Sequence, residues 1–373
     1  MSDTNIPQTD PRASYLAQRA EIDAAMLRAM ERGQYILGPE VGAFEREFAS
    51  FAGAAFGIGA ASGTDAIHLA LRAAGVGDGD YVATVSHTAV ATAAAIEMAG
   101  AKPLLLDIEP ATYTMDAAEL RRVLDRPPGR VAAIVPVHLY GQACDMDAIM
   151  ALAREARIPV IEDCAQCHGA TYRGRPLGAF GVAAAWSFYP TKNLGAFGDA
   201  GMVTTSDEAL AERVRELRQY GWRQRYISAK HGINSRLDDL QAAILRVKLP
   251  HLADANRKRQ AIAMRYDSGL AKLGLAIPER RPDTDHVFHQ YVLRFARRDA
   301  VRETLSKQGI GTGIHYPAPV HLQPAYAGRI AAGPSGLGHS ERAAKEVLSL
   351  PMYPELPPPN VERVIAVLAR SER

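Results

Sequence analysis

The sequence has 373 residues, and its 43 lysines and arginines nearly balance its 41 aspartates and glutamates, which leaves a formal net charge of +2. A hydrophobic share of 47% and a charged share of 23% are typical of a folded globular protein, so a disordered or collagen-like chain is excluded. The balanced charge also argues against nucleic acid or an anionic membrane as a partner, and the length predicts two or three domains.

No targeting or membrane segment is indicated. The first twelve residues are polar and contain two prolines, unlike a signal peptide, and the apolar stretch at 131–137 is far shorter than the ~20 residues of a membrane helix. Three cysteines cannot form a disulfide framework, and the CxxC pair Cys164 and Cys167 has no second pair to complete a zinc site. We therefore expect a cytoplasmic protein with reduced thiols and no metal.

The N-terminal pattern predicts helices over about 15–51, interrupted at 33–42 by a loop with three glycines and a proline. From 57 to 205, short β-rich runs alternate with helical stretches. The predicted elements are strands at 82–86, 103–107, 131–137 and 159–162, and helices at 91–99 and 146–157. This alternation predicts an α/β fold with a mostly parallel sheet and helices on both faces. Chemistry in such sheets gathers at the carboxyl ends of strands, where His87 and Asp163 fall.

The later part of the chain predicts a second, smaller domain. Helices are predicted at 208–220 and 237–249, and Pro250 kinks or breaks the second before a further helix continues to about 273. The remaining pattern is a strand at 290–295 with helices at 298–308, 340–347 and 361–368. We place the division at the proline. Residues 1–250 then form a large α/β domain with an N-terminal helical segment, and residues 251–373 form a small C-terminal α+β domain.

A lysine and an aspartate give the main chemical signal. Asp163 leaves the end of a predicted buried strand, and Lys192 follows in partly apolar surroundings within Tyr-Pro-Thr-Lys-Asn-Leu-Gly at 189–195. Such a lysine can have a depressed pKa and form a Schiff base with a carbonyl. A nearby aspartate can keep a pyridinium nitrogen protonated, which makes pyridoxal 5′-phosphate (PLP) an electron sink. The residue types alone also fit a solvated lysine and a strand-end cap.

A second signal is Ser-Gly-Thr at 62–64, which reads as a turn into a helix. The free N–H groups and positive dipole end of a helix N-terminus form a natural seat for a phosphate. An ordinary N-cap has the same pattern, so this motif alone is weak.

Taken together, these motifs resemble the DegT/DnrJ/EryC1/StrS family of PLP-dependent nucleotide-sugar aminotransferases, which have the type I fold of aspartate aminotransferase. The resemblance covers nearly the whole chain. Its marks lie at 33–44, 62–64, 86–92, 162–169, 187–195, 198–201, 232–243 and 313–326.

The resemblance implies roles for individual residues around PLP. Lys192 matches the Schiff-base lysine, Asp163 the partner of the pyridine nitrogen, and Gln166 the amide at the ring hydroxyl. The positions that match phosphate contacts are Gly63, Thr64, Ser187 and, from the neighbouring subunit, Asn234. A homodimer with shared active sites is therefore implied.

One position departs from the family pattern. The residue after Thr88, where an aromatic ring usually stacks on the cofactor, is Ala89. Either His87 or another ring takes over the stacking, or the cofactor face is less covered.

On the substrate side, the resemblance implies a loop from the small domain and a residue of the N-terminal glycine-rich loop. The matching residues are His315, Tyr316 and His321 in the first loop and Tyr35 in the second. Their neutral donors and acceptors suit hydroxyls and phosphates, whereas a proline-rich connector with incidental histidines is the structural alternative.

The implied function is transfer of an amino group from L-glutamate to a keto carbon of a nucleotide-linked deoxysugar. The form of the loop at 313–323 looks like that of members acting on dTDP-3-keto-6-deoxyhexoses, while a 4-keto or UDP-linked sugar stays open. A dehydratase of the same fold would carry histidine in place of Lys192, so the lysine argues against it. A non-catalytic PLP-fold regulator is the alternative from another class, and the presence of both Lys192 and Asp163 argues against it.

Overall fold

A computed structural model describes residues 5–371 of the chain. Its helices, α1 to α13 in chain order, are Pro11–Ala17, Arg19–Arg32, Pro39–Phe51, Gly63–Ala73, Val90–Met98, Ala117–Asp125, Met146–Ala156, Glu208–Leu217, Asp239–Lys248, Leu252–Ala271, Arg298–Lys307, Gly338–Glu346 and Pro358–Ser371. Within the described residues, none of these helices is long and apolar enough to cross a bilayer.

The strands, β1 to β15 in chain order, are Phe56–Ala60, Tyr81–Val85, Lys102–Leu106, Val131–Ile134, Ile161–Asp163, Thr171–Tyr172, Arg175–Pro176, Ala183–Ser187, Gly201–Thr205, Trp222–Gln224, Ile227–Ser228, Thr284–Asp285, Tyr291–Arg294, Ala331–Ala332 and Val347–Leu350.

Two four-stranded sheets form the centre of the molecule, in the orders β1-β9-β8-β5 and β14-β3-β2-β4. Strand β9 runs antiparallel to both of its neighbours, and the other pairs in these sheets are parallel. Isolated parallel bridges, Ile134 to Val160 and Val137 to Asp163, join β4 to β5, so the two sheets continue into one layer. The predicted α/β class with a mostly parallel sheet is confirmed.

The pleat of the sheet divides its side chains between two apolar cores. Along β8, Ala184 and Trp186 pack into one core with Phe44 and Phe48 of α3, whereas Ala183 and Ala185 pack into the other core. Because both faces are covered, the strand ends are the part of the sheet where polar side chains can gather.

The C-terminal part has its own apolar core, in which α10, α11 and α13 pack around the antiparallel pair β13–β15. Pro250 lies in a short 3-10 turn between α9 and α10, so the helical segment is interrupted at the predicted proline. The two-residue strand β14 returns to the large sheet and pairs with β3. The domain division at residue 250 stays a prediction.

The predicted helix at 340–347 differs from the structure at its end. Helix α12 stops at Glu346, and Val347–Leu350 forms β15, which pairs with β13. All four residues of β15 are buried. Tertiary pairing in the core therefore decides the conformation of this short apolar run.

Candidate active site

A cavity of about 320 Å³ opens where the carboxyl ends of β5 and β8 meet the N-terminus of α4. The structure brings most of the predicted site residues to its wall. They are Gly63, Thr64, Ala89, Asp163, Gln166, Ser187, Lys192, His315 and Tyr316. Residues from both predicted domains therefore converge on one cavity.

Asp163 is the last residue of β5, and its buried carboxylate is held from two sides. Oδ1 accepts a hydrogen bond from the backbone N–H of Ala165 at 3.1 Å, and Oδ2 accepts one from Thr92 Oγ1 at 2.9 Å. Burial raises the pKa of Asp163, because these two bonds and the Lys192 charge only partly offset desolvation. A cationic partner in the cavity would stabilise this carboxylate.

Lys192 lies in the turn that follows β8. The turn is closed by a hydrogen bond from the backbone N–H of Lys192 to the carbonyl of Tyr189 at 2.8 Å, and a second bond joins Ala196 to Phe188 across it. Burial lowers the pKa of Lys192 to about 8, while the charge of Asp163 opposes this shift. A larger fraction of Lys192 is therefore the unprotonated nucleophile near neutral pH than for a solvated lysine.

The N-terminus of α4 also lines the cavity. Ser62 caps the helix by accepting the Asp65 backbone N–H at 3.1 Å, and Gly63 packs against Ser187 at the end of β8. A Cβ at residue 63 would lie 2.6 Å from the Ser187 Cβ, so only glycine lets the strand end and the helix start come this close. Free N–H groups and hydroxyls thus line a seat suited to a phosphate.

The far wall joins Gln166 to the loop that carries His315 and Tyr316. Gln166 accepts the backbone N–H of Tyr140 at 2.7 Å through Oε1 and donates from Nε2 to Tyr316 Oη at 3.1 Å. His315 Nδ1 lies 2.8 Å from Ser349 Oγ. Burial lowers the pKa of His315 to about 4 and raises that of Tyr316 to about 12, so both side chains are neutral near pH 7.

Four predicted site residues do not line this cavity in the described part of the chain: Tyr35, His87, His321 and Asn234. Tyr35 is exposed and donates to the Met30 carbonyl at 3.1 Å. His87 is fully buried with its Nε2 2.9 Å from Tyr140 Oη, and burial lowers its pKa to about 4.

His321 and Asn234 lie in different surroundings. His321 Nδ1 is 2.7 Å from Ser86 Oγ, and its Nε2 is 3.2 Å from Glu341. Asn234 is exposed on this chain, and its backbone pairs with that of Gln219. The predicted roles of these residues, and the ring that would stack beside Ala89, stay predictions.

Several residues that line or support the cavity were not predicted from the sequence. Thr92, which bonds Asp163, lies in the first turn of α5, at the end of the stretch at 86–92 that resembles the family, but no role was assigned to it. His289 and Gln290 precede β13 and reach the cavity from the C-terminal part. Their signal was a polar pair at the start of the predicted strand at 290–295, although the sequence does not show which part of the fold that strand contacts.

Among the described residues, His138, Glu162 and Cys164 form the one group with ligand atoms close enough for a metal, all within 4.8 Å and buried. Glu162 already accepts three backbone N–H groups, at Gly178, Phe180 and Gly181, besides its contact with His138. These bonds tie the loop after β7 to β5, which gives the group a structural role.

The layered α/β fold, with a lysine and a buried aspartate at the strand ends, is the type I fold of PLP-dependent aminotransferases. A sequence model of the DegT/DnrJ/EryC1/StrS aminotransferase family matches residues 17–369, and the chain belongs to this family. The predicted family, fold and class of enzyme are confirmed.

Relatives extend this result over the whole chain. The dTDP-3-amino-3,4,6-trideoxy-alpha-D-glucose transaminase of Streptomyces venezuelae is 47% identical over 371 residues, which are 99% of this chain and 97% of that protein. The UDP-N-acetyl-3-dehydro-alpha-D-glucosamine 3-aminotransferase of Acidithiobacillus ferrooxidans is 42% identical, with 99% and 98% covered. The crystal structure of S. venezuelae DesV in complex with a ketimine intermediate superposes with a TM-score of 0.94 at 46% identity, covering 99% of each chain.

Proposed function

We propose that this chain is a PLP-dependent aminotransferase that moves an amino group from L-glutamate to the keto carbon of a dTDP-linked 3-keto-6-deoxyhexose. The observation that carries the proposal is the convergence of Lys192, Asp163 and the N-terminus of α4 on one cavity. The name of the S. venezuelae relative, a dTDP-3-amino sugar transaminase, supports the choice of sugar.

The residues of the cavity fit PLP. The raised pKa of the buried Asp163 marks a carboxylate without a full cationic partner, which a protonated pyridine nitrogen would supply. The part of the cavity lined by the N-terminus of α4, with Thr64, and by Ser187 at the end of β8 fits the phosphate. Gln166 would contact the ring hydroxyl, and Lys192 would bind the aldehyde carbon covalently. When bound, PLP supplies an electron sink for the carbanion formed on an amino acid or amino sugar.

Each protein group then has a defined task. Asp163 would hold the ring nitrogen in its protonated form, and Thr92 and Ala165 orient the two carboxylate oxygens. The free amine of Lys192 would hold and move a proton at the substrate carbon. A pKa of about 8 suits this task because the amine can both accept and return a proton near neutral pH.

The wall that faces the sugar combines neutral groups. Tyr316 and His315 offer hydrogen bonds without adding charge beside Lys192. We further propose that Tyr35 and His321 complete the sugar site. Asn234 would reach the phosphate of the neighbouring subunit's cofactor, so the enzyme would be a homodimer with shared sites. The exposure of Tyr35 and Asn234 on the isolated chain is compatible with such an interface.

A screen of keto-sugar nucleotides with L-glutamate tests the substrate. The purified protein with PLP is incubated with a dTDP-3-keto-6-deoxyhexose, a dTDP-4-keto-6-deoxyhexose and a UDP-linked 3-keto sugar, and amino-sugar products are detected by mass. We expect conversion of the dTDP-3-keto sugar. Conversion of only the UDP sugar, as the name of the Acidithiobacillus relative suggests, or of only the 4-keto sugar, would overturn the sugar assignment. Failure of glutamate to bleach the PLP absorbance would favour the non-catalytic alternative.

A further inference from the structure

The turn that carries Lys192 continues directly into a buried asparagine whose side-chain bonds are all defined. Asn193 donates from Nδ2 to Asn256 Oδ1 at 2.9 Å and to the Val287 carbonyl at 3.0 Å. Its Oδ1 lies 3.2 Å from His289 Nδ1. The residue next to Lys192 therefore forms buried hydrogen bonds that join the turn of Lys192 to α10 and to residues 287–289.

Contacts with backbone carbonyls fix the orientation of the Asn193 and Asn256 side-chain amides, because a carbonyl oxygen can only accept a hydrogen bond. Asn256 Nδ2 lies 2.8 Å from the His168 carbonyl, so this nitrogen donates and Asn256 Oδ1 accepts. Both hydrogens on Asn193 Nδ2 are then used by Asn256 Oδ1 and the Val287 carbonyl. Asn193 Oδ1 must accept from His289, and the proton of the neutral imidazole is on Nδ1.

This tautomer leaves Nε2 as the acceptor of His289, a residue that lines the same cavity as Lys192. Gln290 Nε2 lies 3.5 Å from His289 Nε2, at the long limit of a hydrogen bond, so a ligand donor at a shorter distance would compete for this lone pair. Burial lowers the pKa of His289 well below 6.5, and the positive charges of Lys192 and Arg259 reinforce this shift, so the imidazole stays neutral.

We propose that Asn193 is a positioning residue that fixes the turn of Lys192 against α10 and sets the tautomer of His289, so that a neutral Nε2 acceptor faces the cavity beside the lysine. This inference rests on the proposed function. A protonated His289 would place a second positive charge beside Lys192 and would repel an incoming ammonium group. A neutral Nε2 can instead accept a hydrogen bond from that amine.

The tautomer can be measured on the full-length protein without PLP. In ¹⁵N-histidine-labelled protein, two-bond ¹H–¹⁵N correlation spectra distinguish the Nδ1–H, Nε2–H and doubly protonated forms, and His289→Gln assigns the signal. We expect the Nδ1–H form at pH 7. We expect Asn193→Asp to raise the pKa of His289 and produce the doubly protonated form, because a carboxylate at this position stabilises the imidazolium. An Nε2–H form in the wild type would overturn the proposal, whatever the variants do.

The consequence for Lys192 is tested with PLP present. For Asn193→Ala we expect kcat to fall about 100-fold with little change in KM for glutamate, because misplacement of the reacting amine affects the chemical step. Asn360→Ala, at a partly exposed asparagine in the first turn of α13, is the matched control and should behave as wild type. Normal kcat per folded Asn193→Ala enzyme would overturn the positioning role. The proposed function itself would fail differently, through a wild type that neither transfers an amino group nor joins PLP to Lys192.

Discussion

The two charged residues at the centre of the cavity are both held where water cannot fully solvate them. Desolvation raises the pKa of Asp163 and lowers that of Lys192 to about 8, so each shift favours the neutral form. Burial of these two charges therefore lowers the stability of the ligand-free protein. A cofactor with a cationic nitrogen for Asp163 and a reactive carbonyl for Lys192 would remove this cost.

Replacing Asp163 with asparagine should preserve the fold and remove most of the activity. The amide keeps the shape and can still accept the Ala165 N–H, but it carries no charge to hold a ring nitrogen protonated. We expect kcat to fall roughly 100-fold or more while the melting temperature of the PLP-free protein changes little. Asp147→Asn, at an exposed carboxylate on α7, is the control. Turnover of the Asp163 variant near the wild-type rate would show that its charge is not used.

The buried Lys192 should lower the free energy of unfolding of the PLP-free protein below pH 8. Because its pKa is about 8 in the folded state and 10.5 for an unperturbed lysine, the unfolded chain binds more protons between these values, and stability rises with pH across that window. Lys192→Met should therefore raise the free energy of unfolding at pH 7 by roughly 1–3 kcal/mol. The gain should shrink between pH 8 and 10.5 in urea titrations. Lys272→Met, which removes an exposed lysine, is the control for the loss of a positive charge.

For individual residues, the sequence was informative about the site where the chemistry limits the choice of residue type. A lysine after an acidic strand end, and Ser-Gly-Thr before a helix, were weak signals on their own. The resemblance to the family then gave roles to Lys192, Asp163 and Gly63, which all line the cavity. Thr92 and His289 were not identified, because a threonine in a helix and a histidine before a strand have no distinctive pattern until the chain is folded. Their importance depends on contacts between segments far apart in the chain.

Among the secondary-structure elements, α4 bears most directly on the proposed phosphate seat. Its start combines a serine cap, a glycine in contact with Ser187 and a free helix end. Gly63→Ala would push a methyl group to 2.6 Å from the Ser187 Cβ and force the helix away from β8.

We expect Gly63→Ala to weaken PLP binding about tenfold or more, measured by absorbance titration, because the phosphate contacts depend on this close approach. Gly77→Ala is the matched control, since a Cβ there meets no atom within 4 Å and the backbone is not left-handed. Equal PLP affinity in the two variants would argue against a phosphate at α4.

The strands of the large sheet and the helices that cover it were predictable. The strands read as apolar runs because both faces of the sheet are buried, and the helices show the periodicity of one buried face. The predicted strand at 82–86 is Tyr81–Val85, and the predicted helix at 146–157 is Met146–Ala156. The short strands β14 and β15 were not predicted, because two to four residues carry too little pattern and their pairing partners lie far away in sequence.

At the scale of the whole molecule, we propose an active site that is shared between two subunits. Asn234 lies outside the cavity of its own chain, on an exposed segment just before α9. If it completes the neighbouring site, each of two damaged subunits can complement the other.

Mixing Lys192→Ala with Asn234→Trp tests this arrangement. A mixed dimer would contain one site with both lesions and one with neither, so random exchange should restore up to about one quarter of the wild-type activity. Each variant alone, carried through the same exchange, is the control and should stay inactive. Absence of recovery, with subunit exchange demonstrated by mass, would mean that each site is built from a single chain.

We propose that Lys192 is the residue that holds PLP and performs the proton transfer. Borohydride reduction of the PLP-loaded protein, followed by proteolysis and mass spectrometry, tests it most directly. We expect a pyridoxyl mass on the peptide that contains Lys192, and loss of this label when excess L-glutamate is added before reduction. A stable label on another lysine, or a Lys192 label that glutamate does not prevent, would contradict the claim.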